Sequence, residues 1–450
     1  MSSGFLRIEH TGNEFDQKQV ICFRILVYVH SVSYYYHNYH NYHLGMGLGS
    51  MVWGIVSDMF GRKKALIASF TLICVSAVLS SQAPSYPWLL TFQFCMGFGI
   101  GGGPQVPVIV TEILPIKYRG GAVIMLAFFW AVGSVFASSL ALAIVGSLKW
   151  RYYLLIVSSP LLVFLIGSFW IPESPRYLMA TGQVTECKRI LERIAKANGK
   201  TLPKGELCNK EVKRKKSVPI LGLFTPDLCR TTITLFLLWF TLTYSYYGIV
   251  LLTTSMMQTG IDGCHPHAPT PNTTTNSSGK CQHLTDDDYT ELIITTLAEF
   301  PGVIVAYLLI NNIGRRKSLL MQLSVATLSF ILLAICSRKT IMTILMFVSR
   351  GLLDGCAQTL YVYSAEVLPT NVRAVGVGIG SMIGRIGAMV TPFAAQVLIH
   401  ESFYWVILAY TVPLLLCVGA TLSLNVETNL KSLDHQSSAG LYESCREPKD

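Results

Sequence analysis

Apolar residues run along this chain in long, nearly unbroken blocks, separated by short polar segments. The blocks fall at 44–57, 64–81, 88–111, 121–145, 152–171, 230–254, 290–310, 318–336, 341–365, 375–398 and 402–424. A helix that crosses a bilayer needs ~20 mostly apolar residues. In lipid every backbone polar group must be satisfied internally, so only helices and closed barrels cross it. These blocks are too long and too continuous for barrel strands. Each predicts a membrane-spanning helix, and the first is cut short. Upstream, residues 20–36 are apolar in part but contain Arg24 and His30 and end in Tyr34-Tyr35-Tyr36. The run Asn38-Tyr39-His40-Asn41-Tyr42-His43 follows and reads as low complexity, although His37, His40 and His43 are of metal-binding type. The expected fold class is all-α and polytopic.

Between 172 and 229 the pattern changes. Residues 183–198 carry Val184, Cys187, Leu191 and Ile194 on one helical face, with Lys188, Arg189, Glu192, Arg193 and Lys196 around the rest. Lys213-Arg214-Lys215-Lys216 comes next, as in a linker lying beside anionic lipid or in a binding tail. The expected organisation is an atypical N-terminus over 1–43, a helix bundle over 44–172, a cytoplasmic central loop over 173–229, a second bundle over 230–424 and a cytoplasmic tail over 425–450.

Composition agrees with lipid as the solvent. Of 450 residues 51% are hydrophobic and 13% charged, with a mean hydropathy of +0.47. Soluble domains carry about 25% charged residues, so a solvated globular surface is excluded. The net charge of +10 forms no nucleic-acid stripe. Arg62, Lys63 and Lys64, then Lys117 and Arg119, then the central loop, then Arg315, Arg316 and Lys317 fall in alternate connections, which the positive-inside rule places in the cytosol. The cysteines lie mostly in apolar blocks, as Cys74, Cys95, Cys336 and Cys417 do, and read as packing residues.

The same rule puts residues 255–289 outside. Two glycosylation sequons stand there, at Asn272 and Asn276. Cys264 and Cys281 flank them and are candidates for a disulfide in an oxidising compartment. Together with His265, His267 and His283 they also form the rival reading, a zinc site.

The chain repeats itself. Arg62 in Gly61-Arg62-Lys63 recurs as Arg315 in Gly314-Arg315-Arg316, 253 residues later. Glu112-Ile113-Leu114-Pro115, ending at Arg119, recurs as Glu366-Val367-Leu368-Pro369, ending at Arg373, at an offset of 254. Glu173-Ser174 recurs as Glu427-Thr428, again at 254. A parallel repeat of membrane helices is a transporter signature. These blocks resemble the signatures of the major facilitator superfamily. With Pro172-Glu173-Ser174-Pro175-Arg176 the chain is similar to the sugar and organic-ion branch. The Ser174-Pro175-Arg176 region, the sequon-bearing loop and Arg385-Ile386-Gly387-Ala388-Met389-Val390-Thr391-Pro392 bring it closest to the synaptic-vesicle-two-related transporters.

That resemblance, which covers roughly 44–430, implies two six-helix halves and transport by alternating access. Against twelve spans, this chain is expected to lack most of the first helix and part of the second. The resemblance also implies a cytoplasmic gate of ion pairs: Asp58, Arg62, Glu112, Arg119 and Glu173 in the first half, and Arg315, Glu366, Arg373 and Glu427 in the second. Asn311 replaces the aspartate in the second copy, which implies a weaker network there. Gln93 stands where the family pattern has arginine.

Ionisable residues at membrane depth default to function. Glu299, Asp354 and Arg385 are therefore candidates for substrate binding or coupling, with Trp239 and Tyr246 as cavity-lining residues. The alternatives are structural: Glu299 paired with Arg385, and Arg350 with Asp354 one turn away. In the related carriers the position of Arg385 is acidic for cations and basic for anions, so the resemblance implies an organic anion. Gly97-Phe98-Gly99-Ile100-Gly101-Gly102 matches a dinucleotide fingerprint but lies inside an apolar block, where glycines let helices approach. Gly376, Gly380 and Gly384 read the same way. No G-x-S-x-G, H-E-x-x-H or P-loop is present, so the expectation is no enzyme, no catalytic residue, no metal and no cofactor. The expected partners are the lipid bilayer, a small organic solute and a coupling ion, with no nucleic acid. The expected location is the plasma membrane or an intracellular vesicle membrane. The reading from another class is a transporter-like glycoprotein that binds a ligand or partner without moving it.

Overall fold

The computed structural model describes residues 32–145, 150–202, 207, 221–259, 261–262, 265–266, 286–335, 339–369 and 372–424. Glu427, Asn272, Asn276, Cys264 and Cys281 lie outside the described residues, as does the side chain of Arg119.

The first half comprises α1 (Val32–Phe60), α2 (Arg62–Ser81), α3 (Tyr86–Ile100), α4 (Gln105–Ile113), α5 (Ile116–Val145) and α6 (Trp150–Ser168). Two amphipathic pieces follow, α7 (Pro175–Ala180) and α8 (Val184–Ala197). The second half comprises α9 (Pro226–Thr259), α10 (Asp286–Leu297), α11 (Glu299–Asn312), α12 (Arg315–Leu333), α13 (Lys339–Val367), α14 (Arg373–Pro392), α15 (Leu398–Glu401) and α16 (Phe403–Leu422). A π turn at Phe393–Val397 continues α14 past Pro392. Two two-residue strands, β1 (Ile261–Asp262) and β2 (His265–Pro266), pair antiparallel beyond α9.

Ten segments among the described residues are long and apolar enough to cross a membrane. They match the ten full-length blocks of the sequence. The short block at 44–57 has a different outcome: it is the C-terminal part of α1, which has 29 residues. At 1.5 Å per residue such a helix is about 43 Å long, enough to cross a bilayer. The Asn-Tyr-His run supplies its N-terminal part, with Asn38 and His43 buried. The part of this span expected to be missing is thus present among the described residues. Hydropathy conceals it because its polar side chains face protein.

Large apolar side chains cover the outside of the bundle, among them Trp88, Phe129, Val163, Trp170, Trp405 and Leu416. A soluble monomer does not expose apolar surface on this scale, whereas a lipid-facing surface requires it. Glycines bring helices close, as their spacing predicts. Gly45 and Gly49 of α1 meet the backbone of Phe94 and Phe98 on α3, and Gly97 meets that of Tyr42. Gly380 and Gly384 of α14 meet Trp239 and Thr243 on α9.

The halves join along two seams. One packs α1 on α14, and the other packs α5 on α10, α11 and α13. Under the offset of 253–254, α1 corresponds to α10–α11 and α5 to α14, so each seam is the repeat-related copy of the other. Phe128 on α5 and Phe300 on α11 meet edge-on at 5.1 Å across the second seam.

Candidate functional site

Two assemblies of charge are built by this frame: ion pairs at the basic end of the bundle, and a charged, aromatic centre between the halves.

At the basic end, Gly61 opens α2 with φ 107°, a left-handed conformation that glycine alone adopts without strain. A side chain there would also strike the Glu173 carboxylate. The turn lets that carboxylate accept the backbone N–H groups of Arg62 at 2.9 Å and Lys63 at 3.2 Å, at the positive end of α2. Arg62 pairs with Asp58 on the preceding helix and lies 3.5 Å from Glu112 on α4. Its Nη1 also donates to Ser57 Oγ at 2.9 Å, and Ser57 Oγ donates to Gln105 Oε1 at 2.7 Å. Ser57 and Gln105 have no charge to mark them in the sequence.

Gly314, with φ 89°, repeats the turn before α12. Arg315 donates two parallel bonds to Glu366, Nε to Oε2 at 2.9 Å and Nη2 to Oε1 at 3.0 Å. Their side chains are 7% and 3% exposed, against 12% and 11% for Arg62 and Glu112. The second copy thus holds one bidentate, more buried pair where the first shares Arg62 between Asp58 and Glu112. Asn311 is exposed, and bidentate geometry in a drier place takes over. Arg373 Nε donates to the Leu368 carbonyl at 3.3 Å.

In the centre, one expected pairing gives way to another. Glu299 takes Arg350, not Arg385: Nη2 and Nε of Arg350 donate to Glu299 Oε1 at 2.8 and 3.2 Å. Tyr246 donates its hydroxyl to the same oxygen at 2.8 Å. Asp354 Oδ1 accepts the Gln358 amide at 3.3 Å. Arg350 sits at the right height to reach across to α11.

Arg385 is half-buried on α14 and donates to the Tyr247 hydroxyl at 3.0 Å. It makes no ion pair among the described residues. Aromatic groups surround it. Tyr42 and Tyr361 interact with it electrostatically, and His43 packs on Tyr247 with ring centroids 4.8 Å apart and on Tyr39 at 4.3 Å. Trp239 closes the far side, edge-on to Tyr361 at 4.5 Å, and donates Nε1 to Ser364 Oγ at 3.2 Å. Tyr246 and Tyr247, with centroids 5.3 Å apart, link the Glu299 pair to the Arg385 cluster. Tyr39, His43, Gly47 and Ser50 form the stripe of α1 that faces this centre and α14. Their spacing of four, four and three is helical, a signal that low complexity hid.

An apolar groove of about 400 Å³, lined by Ile331, Tyr404, Trp405 and Thr411, opens between α12 and α16 on the outer surface and lies away from both assemblies.

This architecture, two repeated helical halves meeting around a charged and aromatic centre, defines a membrane transporter of the major facilitator type. The chain belongs to the sugar (and other) transporter family, whose model matches residues 31–263 and 277–439. It is 39% identical over 395 residues to the synaptic vesicle 2-related protein of Rattus norvegicus, which covers 88% of this chain and 71% of that one. It is 32% identical over 393 residues to organic cation/carnitine transporter 7 of Arabidopsis thaliana, covering 79% and 76%. The proton:xylose symporter XylE bound to 6-bromo-6-deoxy-D-glucose shares the fold with a TM-score of 0.67 at 16% identity, covering 94% of this chain and 93% of that one. The human organic anion transporter MFSD10 does so with 0.61 at 13%, covering 90% and 89%. The chain is an integral membrane protein, as the apolar blocks require.

Proposed function

We propose that this chain moves a small organic anion across the membrane by alternating access, with Arg385 holding the anion's charge. One observation carries the reading: a half-buried guanidinium lies between the halves, bonded to a tyrosine hydroxyl and to no carboxylate among the described residues. A cation at membrane depth costs at least ~2.5 kcal/mol unless it is paired or wet. A carboxylate, sulfate or phosphate on a solute would supply the partner. The aromatic rings around it supply flat apolar walls, with Trp239 and Tyr361 on one side and Tyr39 and His43 on the other.

The names of the relatives include carriers of organic cations and of organic anions, so the charge of the solute rests on Arg385 itself. Glu299, Asp354 and Tyr246 form the adjoining coupling cluster. The pairs Arg62–Glu112 and Arg315–Glu366, with Asp58, Glu173, Arg119, Arg373 and Glu427, act as the cytoplasmic gate. In this state the described pairs are made, and opening toward the cytosol requires them to part. The central segment 173–229 and the tail 425–450 are then cytoplasmic, and the loop at 255–289 is external.

The test is uptake into proteoliposomes of paired solutes that share one apolar body and differ in charge. Accumulation of the anionic member above its cationic twin supports the reading. Equal uptake, or preference for the cation, overturns it.

A further inference from the structure

Three ionisable side chains are buried together in the second half, and as ionised groups their charges do not balance. Glu299 on α11 and Arg350 and Asp354 on α13 are 0%, 4% and 3% exposed. Arg350 and Tyr246 both serve one oxygen of Glu299. The other oxygen, Oε2, and Oδ2 of Asp354 are buried without a hydrogen-bond partner. Asp354 Oδ1 has only a neutral amide. Asp354 stands one helical turn from Arg350 on α13, the residue whose guanidinium reaches Glu299. Two carboxylates therefore face one guanidinium.

Among the described residues the surrounding helices pair no second cation with these carboxyls. Beyond its first turn α12 has no ionisable residue, and neither has α5. α14 offers Arg385, which is committed to Tyr247. α9 offers the phenols Tyr244, Tyr246 and Tyr247. α10 offers another acid, Glu291, whose carboxylate accepts from Thr343. An ionised carboxylate away from water and without a cation is among the costliest groups to bury, and a like charge beside it adds to the cost. A metal ion in the same place would meet the Arg350 guanidinium. A proton neutralises the excess charge and adds none.

We propose that Asp354 is a proton-binding site and that this proton drives solute movement at the adjoining Arg385 site. The driving role rests on the transport reading above, whereas the binding does not. When the site meets water, the Asp354 carboxyl gives its proton to a water molecule, forming hydronium and leaving a carboxylate. That carboxylate, one helical turn from Arg350, competes with Glu299 for the guanidinium. The exchange moves an ion pair from between α11 and α13 to within α13, and so loosens α11, the helix that forms the seam with α5.

The test is infrared difference spectroscopy of the full chain in lipid, between acid and alkaline buffer without sodium. The carbonyl band of a protonated carboxyl should be present in the unmodified chain and lost in Asp354→Asn. Peptide mass spectrometry after treatment with dicyclohexylcarbodiimide, which reacts with protonated carboxyls in apolar places, should find the adduct on Asp354, in yield that falls as pH rises. Absence of the band, its survival in Asp354→Asn, an adduct on Glu299 instead, or loss of the band on adding sodium at constant pH would each overturn the proposal. In proteoliposomes an inward proton gradient should raise anion accumulation by the unmodified chain and not by Asp354→Asn. A band without any uptake would leave the proton site standing and overturn the transport reading alone.

Discussion

Gly120, in the first turns of α5, faces Arg315 across the seam between the halves: a Cβ on Gly120 would stand 3.0 Å from Arg315 Nη2. The guanidinium that seats Glu366 within the second half is therefore also the surface on which the first half rests. Enlarging Gly120 to Val should push the seam apart at the basic end. Glu366→Gln should act on the same place from the other side. It leaves a buried guanidinium without its carboxylate, which costs about 3–5 kcal/mol. Glu112→Gln should cost less, because Arg62 keeps Asp58. Thermal unfolding of the purified variants checks the order, and cysteine labelling from the cytosolic side checks the opening. Equal losses for Glu366→Gln and Glu112→Gln, with unchanged labelling, would reduce these residues to capping.

Gly302 and Gly351 touch backbone to backbone where α11 crosses α13, and a Cβ on Gly302 would enter the Gly351 carbonyl. Gly302→Ala should destabilise the chain by about 1–3 kcal/mol, the usual cost of overpacking, and should disturb the Glu299–Arg350 pair one turn away. Gly133→Ala is the control. Nothing lies within 4 Å of its added Cβ, so its unfolding temperature should not fall.

The span positions were legible in the chain because lipid imposes one long apolar period on every crossing helix. The turns and ion pairs at the basic end were legible through their repeat, since Gly61 and Gly314, and Glu112 and Glu366, recur at a fixed offset. The N-terminal part of α1 was not, since Asn38, Tyr39 and His43 turn their polarity inward against α3, α9 and α14. The central pairings were not legible either. Arg350 and Asp354 stand four apart on one helix and look like partners, and only the height at which α11 crosses α13 hands Arg350 to Glu299. Tyr247 was legible only as one of the tyrosines at 239–247 that line the second-half cavity or anchor the chain at the interface, and its bond to Arg385 was not.

Cys187 on α8 is 1% exposed and lies 3.4 Å from the Pro175 carbonyl, to which its thiol donates. Burial pushes this thiol up from its usual range. The thiolate is the reacting form, so maleimide labelling of Cys187 in the folded chain should stay slow as pH rises past the ordinary thiol value of ~8.5. Labelling should become fast on denaturation. Rapid labelling of the native chain at neutral pH would mean that α8 does not rest on α7.

The sequons Asn272-Thr273-Thr274 and Asn276-Ser277-Ser278 test the sidedness proposed for the bundle. Expressed in eukaryotic cells, the chain should carry a glycosidase-sensitive mass that disappears when both Asn272 and Asn276 are replaced by Gln. An unmodified chain without that mass would count against an external loop.

The charge of Arg385 is the centre of this account, and uptake by its variants tests it most directly. Proteoliposomes containing the unmodified chain, Arg385→Lys, Arg385→Ala and Arg385→Asp are compared for a matched anion and cation. Arg385→Lys keeps the charge but loses the planar fork, and should retain part of the anion uptake. Arg385→Ala should fold, lose anion uptake by at least the ~10-fold that one charge-assisted bond of about 1.5 kcal/mol represents, and gain nothing for the cation. Arg385→Asp should move the preference toward the cation. Anion uptake that survives in Arg385→Ala, or a preference that stays the same in all four chains, would contradict the assignment of Arg385 as the anion-binding group.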